Sequence, residues 1–248
     1  MQATLSGWYP IALSTAVTPG ITRAVLLASR EVMIWRGDDG ASHVWEDRCP
    51  HRGMRLSFGF VRGNALNCLY HGWQYGAASS CLRIPAHPDL DVPKTIHAHA
   101  FVMEEAGGLI WTSLDAEPEA APDIGLHATP LVSVAVDVPA ERLARCIFDL
   151  SLLPFAPPLA DEESDTEIDA LLAGRLFAVS AGAETLLLGL HPVDDGKTML
   201  HALIHAPDIA DDELPALYRH YAAIVRNLRR SAESEAPAAP AKLLAEAR

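Results

Sequence analysis

The sequence lacks any apolar run approaching the length needed to cross a bilayer. Its first residues, MQATLSGWYPIAL, lack the basic stretch and unbroken apolar segment of a secretory leader. The expectation is therefore a cytoplasmic protein with no membrane partner. Positive charge is scarce: 19 basic residues stand against 32 acidic ones, for a formal charge of −13. Such a surface repels phosphate backbones, which argues against nucleic acid as a partner. Cysteine is scarce too. Cys49, Cys68, Cys81 and Cys146 are too few to staple a chain of 248 residues, so a disulfide scaffold is excluded. No internal repeat is present.

Half of the sequence is apolar, and the length suits two domains with a sizeable core. Residues 7 to 113 read as short strands (ITRAVLLAS, REVMIWRG, SHVWED, NALNCLYH and GGLIWTSL) punctuated by Gly, Asp, Asn or Pro. The acidic, proline-rich DAEPEAAPDIG at 115 to 125 has little to bury and is the best linker. Beyond it lie a strand-like LVSVAVDV, a helix-like PAERLARCIFDL, an acidic loop ADEESDTE, and strands GAETLLLGLHPV and TMLHALIHA. The final helix, DDELPALYRHYAAIVRNLRR, puts Leu214, Leu217, Tyr218, Tyr221, Ile224, Val225 and Leu228 on one stripe. Acids at its start and arginines at its end suit the helix dipole. The reading is α+β, with an all-β domain at 1–116, a linker at 117–126, an α+β domain at 127–231 and a flexible tail at 232–248.

Two of the scarce cysteines stand beside histidines. Cys49-Pro-His51 is followed, after sixteen residues, by Cys68-Leu-Tyr-His71. Two loops offering two thiolates and two imidazoles can grip the two ends of a [2Fe–2S] cluster, with sulfur on one iron and nitrogen on the other. This is the Rieske arrangement. A structural zinc ion would use the same four ligands, but zinc knuckles space paired cysteines differently and do not interleave Cys-x-His. Gly53 and Gly72 would let backbone N–H groups approach the bridging sulfides. Neither loop carries the extra cysteine that cross-links the cluster loops in respiratory-complex Rieske proteins, for the corresponding places hold Met54 and Tyr70, and Trp73 stands where those proteins place a hydroxyl donor to a sulfide. Few donors predict a potential near the low end of the Rieske range, roughly −150 mV.

From residue 7 to about 114 the sequence, including RCPHRGMRLSFG and NCLYHGWQYG, resembles the N-terminal domain of Rieske non-heme iron oxygenase α subunits, particularly vanillate and dicamba O-demethylases. The resemblance implies that Cys49 and Cys68 bind the buried iron, and His51 and His71 the outer one. It also implies a helix-grip second domain holding a mononuclear Fe(II) through two histidines and a carboxylate. This chain departs there. In CIFDLSLLPFAPP, Asp149 falls on the family's bridging aspartate, but the histidine positions hold Leu152 and Pro157, and the leading asparagine is Cys146. Asp212 matches the carboxylate ligand or is an ordinary acid at a helix start. The short span from Asp149 to Asp212 implies a truncated helix-grip-like domain with no mononuclear iron.

Histidines elsewhere leave alternatives open. His201 and His205 share one strand face and could form a relocated metal site with a carboxylate, or could simply be polar or core positions. His97 and His99 read as an exposed strand face, and Asp194, Asp195 and Gly196 as a hairpin turn. Cys81 and Cys146 read as structural thiols. The function expected is an oligomeric oxidoreductase component that takes electrons from a reductase or ferredoxin and passes them to iron in a catalytic Rieske oxygenase subunit. A complete monooxygenase with an unconventional iron site, and a redox-sensing regulator, are the alternatives.

Overall fold

The computed structural model describes residues 6–156, 165–207 and 209–234. Pro157, most of the acidic loop and residues 235–248 of the expected tail lie outside them. The N-terminal part consists of three small antiparallel sheets. Strand β1 (Trp8–Leu13) pairs with β10 (Leu109–Ser113), which pairs with β9 (Val102–Ala106). A second sheet orders β2 (Thr22–Leu27), β3 (Arg30–Arg36) and β4 (Ser42–Glu46). The third is a run of three-residue strands, β5 (Phe60–Arg62), β6 (Ala65–Asn67), β7 (Gln74–Gly76) and β8 (Cys81–Arg83). Trp35, Trp45, Leu66 and Tyr75 are fully buried where these strands meet, and Cys49 and Cys68 lie at the edge of that core.

The C-terminal part is one five-stranded antiparallel sheet with two helices among the described residues. It comprises β11 (Thr129–Val136), β12 (Glu167–Leu171), β13 (Leu176–Ala181), β14 (Glu184–Asp194) and β15 (Lys197–His205), in the order β11-β15-β14-β13-β12. Strand periodicity divides its residues between two faces. Leu186, Leu188 and Leu190 of β14, with Leu200, Ala202 and Ile204 of β15, pack against α1 (Ala140–Phe148) and α2 (Leu214–Ser234). The intervening Leu187 and Leu203 turn the other way and pack with Trp8, Leu13, Leu109 and Trp111 of the N-terminal part. Gly189 makes that approach possible, because a Cβ there would lie 3.1 Å from the ring of Pro10. Backbone bonds also cross the seam, from Ala28 N–H to the Pro192 carbonyl (2.8 Å) and from Ser29 N–H to that of Val193 (2.7 Å).

The expected linker is used in packing. Trp8 Nε1 donates to the Glu119 carbonyl at 2.9 Å, and Ile124 and Leu126 pack against the seam core. Helix α2 buries Leu217, Tyr221, Val225 and Leu228 as the stripe predicts, but it starts at Leu214 and continues to Ser234. Asp211 to Glu213 form the preceding turn, so neither the first nor the last turn of the helix carries the expected charges. No helix among the described residues is long and apolar enough to cross a membrane.

Candidate functional site

The loops carrying CPHRGM and CLYHGW are wired alike. Cys49 N–H donates to the Met54 carbonyl (2.8 Å), and Gly53 N–H donates back to the Cys49 carbonyl (2.8 Å). In the second loop Cys68 N–H reaches the Trp73 carbonyl (2.9 Å), and Gly72 N–H reaches the Cys68 carbonyl (3.0 Å). Closing both turns requires the left-handed backbone, with φ of +73° at Gly53 and +70° at Gly72, where a side chain would be strained. The amides of these two glycines are thus taken up within the loops, and what glycine supplies is conformation. The first loop is held further by the buried Asp47 carboxylate, which accepts from Ser57 N–H (2.7 Å) and Ser57 Oγ (2.6 Å).

This wiring places the four side chains as two unlike pairs. Cys49 and Cys68 are each 2 % exposed, whereas His71 is exposed and His51 half-buried. The two imidazole rings lie 4.8 Å apart. Trp73 stacks on His51 at 4.2 Å and 7°, and Tyr70 leans on His71 at 3.8 Å. Among the described residues no three His, Cys, Asp or Glu side chains gather around one point, as a single tetrahedral zinc would require. Two buried sulfur donors below two accessible nitrogen donors are a set that could hold a two-iron cluster at both ends.

Burial raises the Cys68 thiol above its ordinary range, with smaller contributions from Cys49, so metal binding has to expel its proton. Desolvation, followed by His71 and Arg52, lowers His51, which favours the neutral imidazole a metal needs. Sequence reasoning missed Tyr75. Its buried hydroxyl lies 3.2 Å from Cys49 Sγ, and burial together with that contact raises its pKa. A cysteine bound to metal can only accept, so this phenol would donate to it. The donor count behind the low predicted potential was therefore one short. The signal was available in the sequence, as a tyrosine four residues beyond His71.

The remaining sequence candidates lie apart. Asp149 is exposed at the C-terminus of α1, on the helix-covered face of the C-terminal sheet, which is the face turned away from the N-terminal part. Leu152 is 3 % exposed in the apolar core, and Cys146 is buried beside it. The following segment is tied by buried Glu184, which accepts from Phe155 N–H (3.0 Å), Ala156 N–H (2.8 Å) and the Tyr221 hydroxyl. Asp212 is exposed in the turn before α2. His201 and His205 share a strand face as expected, but His201 Nδ1 meets Ser133 Oγ (2.8 Å) and His205 Nδ1 meets the His127 carbonyl (2.8 Å). No metal-binding group of three forms around them among the described residues. His97 and His99 are exposed on either side of buried Ala98.

Comparison with known proteins agrees with this geometry. Residues 7–95 match the family described as the Rieske [2Fe-2S] domain. The chain is 29% identical over 239 residues to the oxidoreductase NdmD of Pseudomonas putida, covering 92% of this chain and 40% of that protein. It is 32% identical over 165 residues to the methylxanthine N1-demethylase NdmA of the same organism, covering 61% of this chain and 46% of that protein. It thus spans less than half the length of these curated relatives. The fold superposes on the crystal structure of dicamba monooxygenase with a TM-score of 0.75 at 18% identity, over 94% of this chain and 87% of that one. Residues 7–95 are therefore a Rieske [2Fe–2S] domain, in a chain that is similar to NdmD and NdmA and shares its fold with dicamba monooxygenase.

Proposed function

We propose that this chain is the electron-carrying Rieske component of an oxygenase system. Cys49 and Cys68 would hold the buried iron and His51 and His71 the outer one, and the cluster so bound supplies the storage of a single electron. The residues around it have separate tasks. The buried thiols keep water from the inner end, Trp73 fixes the His51 ring by stacking, and the Tyr75 hydroxyl partly neutralises the charge on the Cys49 sulfur. The accessible imidazoles are the natural door for the electron.

The observation that carries this reading is the charge around that door. From 48 to 88 the chain has no acid and five exposed arginines, Arg48, Arg52, Arg55, Arg62 and Arg83, of which Arg55 is paired with Glu31. The rest of the chain sets 14 basic residues against 32 acidic ones. A cationic stretch carrying the electron port, with Arg52 acting directly on His51, favours an acidic donor, such as a ferredoxin or the ferredoxin-like face of a reductase. The electron would pass on to a mononuclear iron in a catalytic partner subunit, with Asp149 as the carboxylate bridge from one chain to the imidazole of another. We further read the C-terminal domain as a shortened helix-grip relative without its own iron, because Leu152 fills with hydrocarbon the place where the family has a histidine.

Stopped-flow reduction of the cluster-loaded chain by an acidic plant-type ferredoxin tests the port. The rate is expected to fall steeply with ionic strength, and Arg52→Glu should slow it about tenfold at low salt while leaving the cluster spectrum intact. A rate indifferent to both salt and Arg52 would refute the acidic-donor reading. Three irons per chain, instead of two irons and two sulfides, would favour a complete monooxygenase.

A further inference from the structure

The seam between the two domains holds a half-open cavity of about 290 Å³ that the electron-carrier reading does not use. Its floor is the sheet face carrying Ser133, His191, Met199 and His201, and its roof comes from β1 and β2. His191 and His201 are each 3 % exposed, with near-parallel rings 5.6 Å apart. His191 Nε2 lies 2.7 Å from the Leu26 carbonyl, which can only accept, so the proton is on Nε2. Burial lowers the pKa of His191 to about 4, so Nδ1 carries no proton at neutral pH and is a bare acceptor. Neither that Nδ1 nor His201 Nε2, both buried, meets a partner among the described residues. Buried polar atoms are rarely left so.

We infer that this cavity is a binding site for a small organic acid with an apolar body and one hydroxyl or N–H donor. Ile11, Leu13, Val25, Leu26 and Val193 supply apolar wall. His191 Nδ1 takes the donor. Arg23, whose guanidinium uses one N–H on the Ala16 carbonyl (3.2 Å) and whose charge acts on His201, takes the carboxylate at the mouth. The volume is near the lower end for ligand pockets, which favours one small ring over a nucleotide-sized cofactor. Because both domains line it, an occupant ties them together and stabilises the folded chain.

Calorimetric titration of the cluster-loaded full chain with 3- and 4-hydroxybenzoate tests this. One equivalent of at least one isomer should bind with a Kd below about 1 mM and raise the melting temperature. Benzoate, which lacks the donor, and phenol, which lacks the carboxylate, should each bind about tenfold more weakly. Arg23→Gln, at an exposed position, should erase the advantage over phenol, and His191→Phe the advantage over benzoate. No binding of either isomer at 10 mM, or binding that both variants leave unchanged, overturns the proposal. The cluster spectrum reports separately on the electron-carrier reading and should not change in any arm.

Discussion

The two ends of this molecule treat polar side chains in opposite ways. Around the cluster loops, two short turns with the same hydrogen-bond pattern bring two thiols and two imidazoles together within a few residues of each other. Around the end of α1, the positions singled out in the sequence are scattered. Leu152 is in the core, Asp149 faces solvent, and Asp212 sits in a separate exposed turn. Backbone turns impose the first arrangement locally, so it survives as long as the glycines do. A site of the second kind would depend on side chains from distant elements converging, and Leu152, Asp149 and Asp212 do not converge.

The sharpest way to break that contrast is to remove a donor from each end. Cys68→Ser should abolish the visible absorption and the electron paramagnetic resonance signal of the reduced cluster, because a buried hydroxyl is a poor substitute for a thiolate. Asp149→Asn should leave iron, sulfide and signal at wild-type levels. Loss of iron in the second variant would show that α1 contributes to a metal after all.

A smaller effect is expected at the seam that joins the two ends. His191 is held neutral with a pKa lowered to about 4, against an ordinary value near 6.5. Between these values the unfolded chain binds the proton and the folded chain does not. The contribution of this residue is thus complete above about pH 6.5 and is lost as the pH falls toward 4. The loss amounts to about 3 kcal/mol. Denaturant melts from pH 7 to 4.5 should show it in the wild type and lose most of it in His191→Phe. An identical pH dependence in the two proteins would rule the seam histidine out as its source.

The smallest expected effect is electronic. Tyr75→Phe should remove the donor to Cys49 and lower the midpoint potential of the cluster by about 50 mV, close to one tenfold step for a single electron. Protein-film voltammetry would measure it, and an unchanged potential would mean that the hydroxyl does not bond the metal-bound sulfur.

What could be read from the sequence follows the same division. The C-x-H and C-x-x-H pairs are local, so their residues and the loops that present them were visible directly. Strands that carry a long apolar run, such as REVMIWRG and TMLHALIHA, were found because the run is bounded by polar or turn residues, and the α2 stripe because its helical period is strong. The three-residue strands β5, β7 and β8 were missed because so short a segment has no period. Strands β12 and β13 were missed because their neighbours in the sheet, not their own pattern, define them. Tyr75 and the arginine-rich, acid-free stretch from 48 to 88 were readable but overlooked. The pairing of His191 with His201 could not be read, since it depends on the register of β14 against β15, where His201 sits opposite Gly189.

The C-terminal sheet is covered on both sides, by helices on one and by the redox domain on the other. Cutting the chain at the apparent linker would therefore bare Leu176, Leu187 and Leu203 on one fragment and Trp8 and Trp111 on the other, leaving two sticky halves. Whatever chemistry the C-terminal half carries, the redox domain depends on it as a wall.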